Sequence, residues 1–434
     1  MFPALRERLR SLGPGLVLAA AGIGAGDVVV ASVTGIKFGT TLLWAVAFTA
    51  ALKFVVTEAL ARWQLATGET IVRAWVTRLP RWVSVLFAAY LLFWTFMVGA
   101  SLSSACGLAG TSVYPRWPAP VWGVLHAVVA ALLVALNRYA LFQRVMKVLI
   151  ALMALCVLAC AVVAAPPIAE VLRGLVLPRV PAAGGGRAVL ALLGGIGGSL
   201  TVICYGYWMR AAAWSGAEKL ATVRLDLRLA YGFTGLFGIA LVVIAAGVDA
   251  HGAGGARIAL EIAARLEAVA GPAGRWVFLV GFWGTVFTAM LGVWQGVPQV
   301  YVDLVGAWRR DEDGGRVPSP GGLPPDSPER GGGTPPGFVN ERRDRRIYLA
   351  ALGFLAGPPL ALLWFRQPVA VVVAFSITGA FVMPFLAVTL LYLNNRRDWM
   401  GPLANRWPGN TALVVCLIVF GAVCVVEMWS ALGA

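Results

Sequence analysis

Long runs of apolar residues, separated by short polar segments, dominate the pattern of the chain. Eleven such runs lie at about 14–34, 41–63, 82–104, 119–138, 143–165, 189–213, 228–249, 275–303, 346–365, 368–393 and 410–431. A helix needs roughly 20 mostly apolar residues, at about 1.5 Å each, to cross a bilayer. A membrane barrel would show shorter segments of alternating polarity. The pattern therefore predicts an all-α polytopic membrane protein with eleven transmembrane helices in a single domain over residues 1–434.

Composition and charge agree with this pattern and add an orientation. The chain is 59% hydrophobic and 13% charged, with a mean hydropathy of +0.81, so its apolar surface needs a lipid bilayer as partner. Its net charge of +15 comes from arginines clustered between the apolar runs, which signals membrane topology rather than nucleic-acid binding. Arg6, Arg8 and Arg10 begin the richer side. We therefore expect a cytoplasmic N-terminus and an extracytoplasmic C-terminus in a bacterial-type inner or plasma membrane.

Two connections differ from the others. The segment 311–342 contains the Pro/Gly-rich stretch DEDGGRVPSPGGLPPDSPERGGGTPPG, which can bury little, and we predict a disordered cytoplasmic linker between helices 8 and 9. The segment 256–271 has apolar residues at helical spacing and is predicted to be an external amphipathic helix. Nothing in the sequence requires more than a monomer.

The first predicted transmembrane span contains an acidic side chain, which is costly to place in the hydrocarbon core of a bilayer. The first span contains GIGAGDVV, in which three glycines that loosen a helix accompany Asp27. The sixth span contains LLGGIGGSLTVICYGYW over 192–208, with four glycines before Ser199. Interrupted helices at corresponding positions of two repeats are the best sequence indication of a transporter's central site. Glycines also serve close helix packing, but packing does not explain the aspartate.

Two more ionisable residues lie in the second span. Helical geometry places Lys53 and Glu58 about 140° apart, so they do not share a face, whereas Glu58 lies one turn from Arg62. A structural Glu58–Arg62 pair is one interpretation, and a proton path through Glu58 or Lys53 is the other. A Lys53 ammonium near Asp27 would neutralise that carboxylate and replace a bound cation.

The stretch GPGLVLAAAGIGAGDVVVASVTGIKFGTTLLW, followed by ARWQLATGET, resembles the Nramp divalent-metal transporters without gaps from Gly13 to about Gly68. Weaker traces are FQRVMKVL in the fifth span and MPFLAVTLLYL in the tenth. The resemblance implies a LeuT-type fold. In that fold, helices 1–5 (about 14–165) and 6–10 (about 189–393) form an inverted repeat, with breaks in helices 1 and 6, and helix 11 (about 410–431) follows.

The chain departs from the family in its metal-binding motifs. The family's first-helix motif is Asp-Pro-Gly-Asn, whereas this chain has Gly24, Ala25, Gly26 and Asp27. The family's sixth-helix motif is Met-Pro-His, whereas this chain has Val202, Ile203 and Cys204 there. The acidic residue that the family usually has in the third helix is missing. Loss of the methionine weakens selectivity for soft metals, and oxygen ligands suit Mg²⁺ or Mn²⁺.

These observations lead to one main expectation and one alternative. The main expectation is a secondary transporter that imports a divalent cation, Mn²⁺ or Mg²⁺, with protons or the membrane potential as the driving force, and that needs no cofactor. Its expected metal ligands are Asp27, Gly24, Thr201 and Tyr205, and its further candidates are Lys53, Glu58, Gly26 and Cys204. Cys204 would be either a sulfur ligand or a small buried side chain. The alternative is a carrier of a small organic or anionic solute, with Lys53 replacing a coupling cation. An enzyme is disfavoured because no nucleophile–base pair or cofactor loop is present.

Overall fold

Helices account for nearly all of the residues that the computed structural model describes. The structure describes residues 13–136, 139–164, 167–246, 248, 256–312, 342–365 and 367–432. Within these ranges every regular element is helical, with seventeen α-helices. Most of the predicted linker, residues 313–341, lies outside the described residues, while residues 311 and 312 continue a helix and Arg342 begins the next.

The α-helices are numbered here in chain order. They are α1 Pro14–Gly22, α2 Ala25–Phe38, α3 Leu43–Thr67, α4 Ile71–Thr77, α5 Arg81–Val113, α6 Ala119–Ala135, α7 Tyr139–Ala164, α8 Ile168–Val176, α9 Gly185–Gly195, α10 Thr201–Ala211, α11 Leu220–Ala245, α12 Ala256–Glu312, α13 Arg342–Ala356, α14 Pro368–Ala380, α15 Val382–Asn394, α16 Arg397–Met400 and α17 Trp407–Leu432. Three 3₁₀ helices join them, at Ala217–Lys219, Pro358–Phe365 and Gly401–Leu403.

The number of membrane-spanning helices falls short of the predicted eleven. In the described residues eight helices are long and apolar enough to cross a bilayer, and the bent pair α1 and α2 makes nine. The other two predicted spans coincide with α6, which has 17 residues, and with α9 and α10, which have 11 residues each. The helix α6 is a few residues shorter than a bilayer requires, and the sixth predicted span is divided into two short helices. Their lengths alone therefore do not establish them as spans.

The helix α12 combines two predicted elements. Its first part, up to a kink at Gly271 (φ 68°), buries Ile258, Ile262 and Leu266 on one face, as an amphipathic helix should. Its second part is a long apolar helix within the bundle.

The two broken helices meet in the middle of the bundle. α1 packs against α10, α11 and α12, while α2 packs against α9 and α11. The end of α1 lies against the glycines that follow α9, because a Cβ atom added to Gly22 would be 3.2 Å from the carbonyl carbon of Gly197.

Candidate functional site

The first break separates α1 from α2 by a 54° bend. Ile23 and Gly24 are extended, and the Gly24 N–H donates to Asp27 Oδ2 at 2.8 Å. This hydrogen bond caps the new helix in the manner of a capping box, with the acidic side chain in the first turn. Asp27 thus has a local reason to be where it is: its carboxylate starts the second half of the broken helix.

The second break runs from Ile196 to Leu200, between α9 and α10. Gly197 and Gly198 have φ values of +74° and +73°, a left-handed region that residues with a Cβ atom rarely adopt. Because two consecutive residues have positive φ, the right-handed helix ends before them and a new one begins at Thr201. The glycine-rich sixth span is therefore broken where the sequence predicts.

Asp27 joins the two breaks. Its second carboxylate oxygen, Oδ1, accepts a hydrogen bond of 2.9 Å from the Gly197 N–H. The side chain is 1% exposed, so these charge-assisted hydrogen bonds hold it away from solvent and lipid. One carboxylate thus fixes the distance between the first and sixth spans at mid-bundle.

A small cavity lies beside this carboxylate. It has about 20 Å³ of free space, which holds one water molecule or one dehydrated ion. Asp27, Gly24 and Thr201 line it, with Trp94 and Phe375 among the aromatic walls. Among the described residues the buried Thr201 hydroxyl has no hydrogen-bond partner, so it is available as a neutral oxygen ligand.

Lys53 reaches the second break from α3. Its ammonium donates to the carbonyl oxygens of Gly194, Ile196 and Gly198, the first at 3.4 Å, and its side chain is 0% exposed. Lys53 therefore binds the carbonyl groups of the break, while Asp27 binds the Gly197 N–H.

Comparison with known proteins identifies the family to which this chain belongs. The family described as natural resistance-associated macrophage protein-like, or Nramp, matches residues 15–430. The chain belongs to the Nramp family.

Curated Nramp proteins are similar over part of their length. Metal transporter Nramp1 of Oryza sativa subsp. japonica is 27% identical over 198 residues, which are 45% of this chain and 38% of that protein. Metal transporter Nramp6.2 of Populus trichocarpa is 25% identical over 198 residues, which are 45% of this chain and 36% of that protein. The matched region thus spans well under half of these relatives.

Solved structures extend the similarity to nearly the whole chain. Two mutant forms of the manganese transporter of Eremococcus coleocola have TM-scores of 0.75 at 14% identity, covering 98% of this chain and 87% of theirs. MhsT in complex with L-phenylalanine has a TM-score of 0.56 at 14% identity, covering 94% of this chain and 98% of its own. The predicted all-helical fold of the LeuT type is confirmed, whereas the count of eleven transmembrane helices is not.

Not all predicted site residues of this Nramp-family chain reach the cavity. The Tyr205 hydroxyl donates to Asp226 Oδ2 at 2.9 Å. Cys204 packs against α12, where a Cβ added to Gly296 would lie 2.8 Å from its sulfur. Gly26 lies in the first turn of α2 and supplies no side chain. In this arrangement Asp27, Gly24 and Thr201 line the cavity. Lys53 does not line it, but binds the carbonyl groups of Gly194 and Gly198, which do.

Glu58 is fixed by two arginines. Its carboxylate contacts Arg62 at 3.2 Å and Arg224 at 2.8 Å. The contact with Arg62 is the helical pair that the spacing suggests. With both oxygens bound to guanidinium groups, Glu58 ties α3 to α11.

Asp226 is a buried acidic residue that the pattern of apolar runs did not indicate. It is 1% exposed and accepts hydrogen bonds from Tyr205 and, at 2.6 Å, from the Gly15 N–H near the start of α1. The predicted seventh span began at residue 228, which left Asp226 outside it, whereas α11 begins at Leu220. An aspartate flanked by leucines in RLDLRL was the available signal.

Proposed function

We propose that this Nramp-family protein carries a divalent metal cation, Mn²⁺ or Mg²⁺, across a membrane by alternating access. The observation that carries the proposal is the cavity of about 20 Å³ between the two broken spans, with the Asp27 carboxylate in its wall. A buried carboxylate beside freed backbone groups and a hydroxyl offers a dehydrated cation charge and oxygen ligands together.

The chemistry of the ligands favours hard ions. Asp27 and Thr201 both offer oxygen, whereas the Cys204 sulfur is directed at α12. Mg²⁺ and Mn²⁺ prefer carboxylate, hydroxyl and carbonyl ligands, and soft metals prefer sulfur. The fold is similar to that of a protein described as a manganese transporter, which supports Mn²⁺ as one of these hard ions.

The membrane potential is a sufficient source of energy for import. Two positive charges moving inward across 100 mV gain roughly 4.6 kcal/mol. With the N-terminus in the cytoplasm, as we predict from the arginine distribution, the ion would enter through the end where α2 ends and α9 begins. The two arginines on Glu58 favour a structural role for it over a proton relay.

Lys53 favours the second candidate function, transport of a small organic or anionic solute. Its ammonium occupies carbonyl groups that a coupling cation would otherwise bind. The small volume of the cavity favours a single ion over an organic solute. A thermal-shift comparison separates the two, because divalent metals stabilise an ion carrier and metabolites stabilise a solute carrier.

Uptake into proteoliposomes tests the metal proposal. Asp27→Asn keeps the size of the side chain but removes its charge, and loss of a buried charged partner costs about 2 kcal/mol or more, roughly 30-fold in affinity. We expect Mn²⁺ and Mg²⁺ uptake to fall accordingly. Asp398→Asn is the matched control, because Asp398 is 59% exposed and lies away from the cavity. Equal uptake by Asp27→Asn and the control would show that Asp27 is not the metal ligand.

A further inference from the structure

The ammonium group of Lys53 is fully buried in the bundle. It lies in the middle of α3, and its side chain is 0% exposed. A buried charge is unfavourable unless it is paired or well hydrogen-bonded. An ammonium has three N–H donors, and the three hydrogen bonds it makes within the described ranges all go to backbone carbonyls.

These carbonyls form a cradle, defined here as the oxygens of Gly194, Ile196 and Gly198. Gly194 lies at the end of α9, where helix carbonyls lack partners and the helix dipole is negative. The left-handed Gly197 and Gly198 then turn the chain so that alternate carbonyls face the same side. Several carbonyl oxygens converging on one point are how proteins bind small cations without a carboxylate.

The break is polarised by charges on both sides. The Gly197 N–H donates to Asp27, while the carbonyls of Ile196 and Gly198 accept from Lys53. The Gly197 N–H and the Ile196 carbonyl belong to one peptide unit, so the carboxylate on the N–H and the ammonium on the carbonyl polarise that unit in the same direction and strengthen each other's hydrogen bonds. Removing the ammonium would leave three buried oxygens without a cation, in a position already organised to bind one.

We propose that this cradle is a monovalent-cation site whose resident cation is the Lys53 ammonium. Because the cation is part of the chain, the native protein needs no Na⁺ or K⁺ to hold its sixth span in the broken shape. A neutral residue at position 53 opens the cradle to a free alkali-metal or ammonium ion. The inference concerns the cradle alone and holds whichever substrate the neighbouring cavity takes.

Thermal unfolding of the full-length protein in detergent tests this inference. The probes are the chlorides of Na⁺, K⁺, NH₄⁺ and N-methyl-D-glucamine at one ionic strength. The native protein should unfold at the same temperature in all four. In N-methyl-D-glucamine, Lys53→Met should unfold at a lower temperature than the native protein. Increasing concentrations of a small cation should then raise the unfolding temperature of the variant, up to a plateau, by roughly 3 °C or more.

Lys37→Met is the matched control, because Lys37 is exposed at the end of α2 and lines neither the cradle nor the central cavity. It should respond to cations as the native protein does. If Lys53→Met unfolds at one temperature in every salt, or if the control shifts as much, the inference is wrong.

A second variant tests the same inference if Lys53→Met does not fold. Lys53→Ala removes three methylenes and the ammonium, which n-propylammonium can replace. We expect n-propylammonium to restore a folded, cooperative protein where N-methyl-D-glucamine does not. Failure of every small cation to rescue either variant would overturn the proposal. Metal uptake is measured separately, so a failed cradle and a failed metal site are distinguishable.

Discussion

At the scale of single residues, the buried charged groups Asp27, Lys53 and Asp226 each bind more than one polar partner. Asp27 accepts from two backbone N–H groups and Lys53 donates to three carbonyls. Asp226 accepts from the Gly15 N–H and the Tyr205 hydroxyl. Thr201 differs, because its buried hydroxyl has no partner in the described structure. An unsatisfied buried group beside a carboxylate is what a site for a dehydrated ion requires.

Asp226 should stabilise the start of α1 through its hydrogen bonds. Asp226→Ala leaves the Gly15 N–H and the Tyr205 hydroxyl buried without an acceptor, so we expect it to lower the free energy of unfolding by about 2–4 kcal/mol. Tyr205→Phe removes one donor and should cost about 1 kcal/mol.

Equilibrium unfolding in detergent measures both effects, together with the double variant. Because the two residues share a hydrogen bond, the double variant should be about as stable as Asp226→Ala. Additive losses would mean that the two side chains do not interact in the folded protein.

At the scale of helices, the two breaks depend on different residues. The first is capped by Asp27, whose side chain reaches back to the Gly24 N–H. The second needs Gly197 and Gly198, because both residues have positive φ. Asp27 of the first break binds the Gly197 N–H of the second, and Lys53 binds carbonyl groups of the second, so buried side chains join the two breaks.

Gly198→Ala should damage the second break. A Cβ atom in the left-handed conformation costs about 1–2 kcal/mol, and here it would also collide with the Thr201 hydroxyl oxygen. We expect a lower unfolding temperature together with weaker metal binding, measured by thermal unfolding and by titration with Mn²⁺.

Gly232→Ala is the control, since a Cβ atom at that helical position in α11 would meet nothing within 4 Å. It should be neutral or slightly stabilising, because alanine favours helix more than glycine does. Similar losses in both variants would indicate a general effect of added methyl groups rather than the special backbone of the break.

At the scale of the whole molecule, the apolar runs predicted the all-helical membrane fold, and the glycines predicted both broken spans. The sequence also identified Asp27 and Lys53 as the unusual charges of the first two spans. It did not predict what they contact, because helical periodicity relates residues along one helix and not across the bundle. For the same reason the direction of Tyr205 towards Asp226, and the position of Cys204 against α12, required the packed structure.

Anomalous diffraction tests most directly whether Asp27 and the two breaks form a site for one divalent cation. Crystals of the full-length protein are soaked in Mn²⁺, and the anomalous difference map is calculated for the native protein and for Asp27→Asn. We expect one peak at about 2.2 Å from the Asp27 carboxylate, between α1 and α10, that is lost in the variant. A native map without that peak, or a peak that persists in Asp27→Asn, would contradict this expectation.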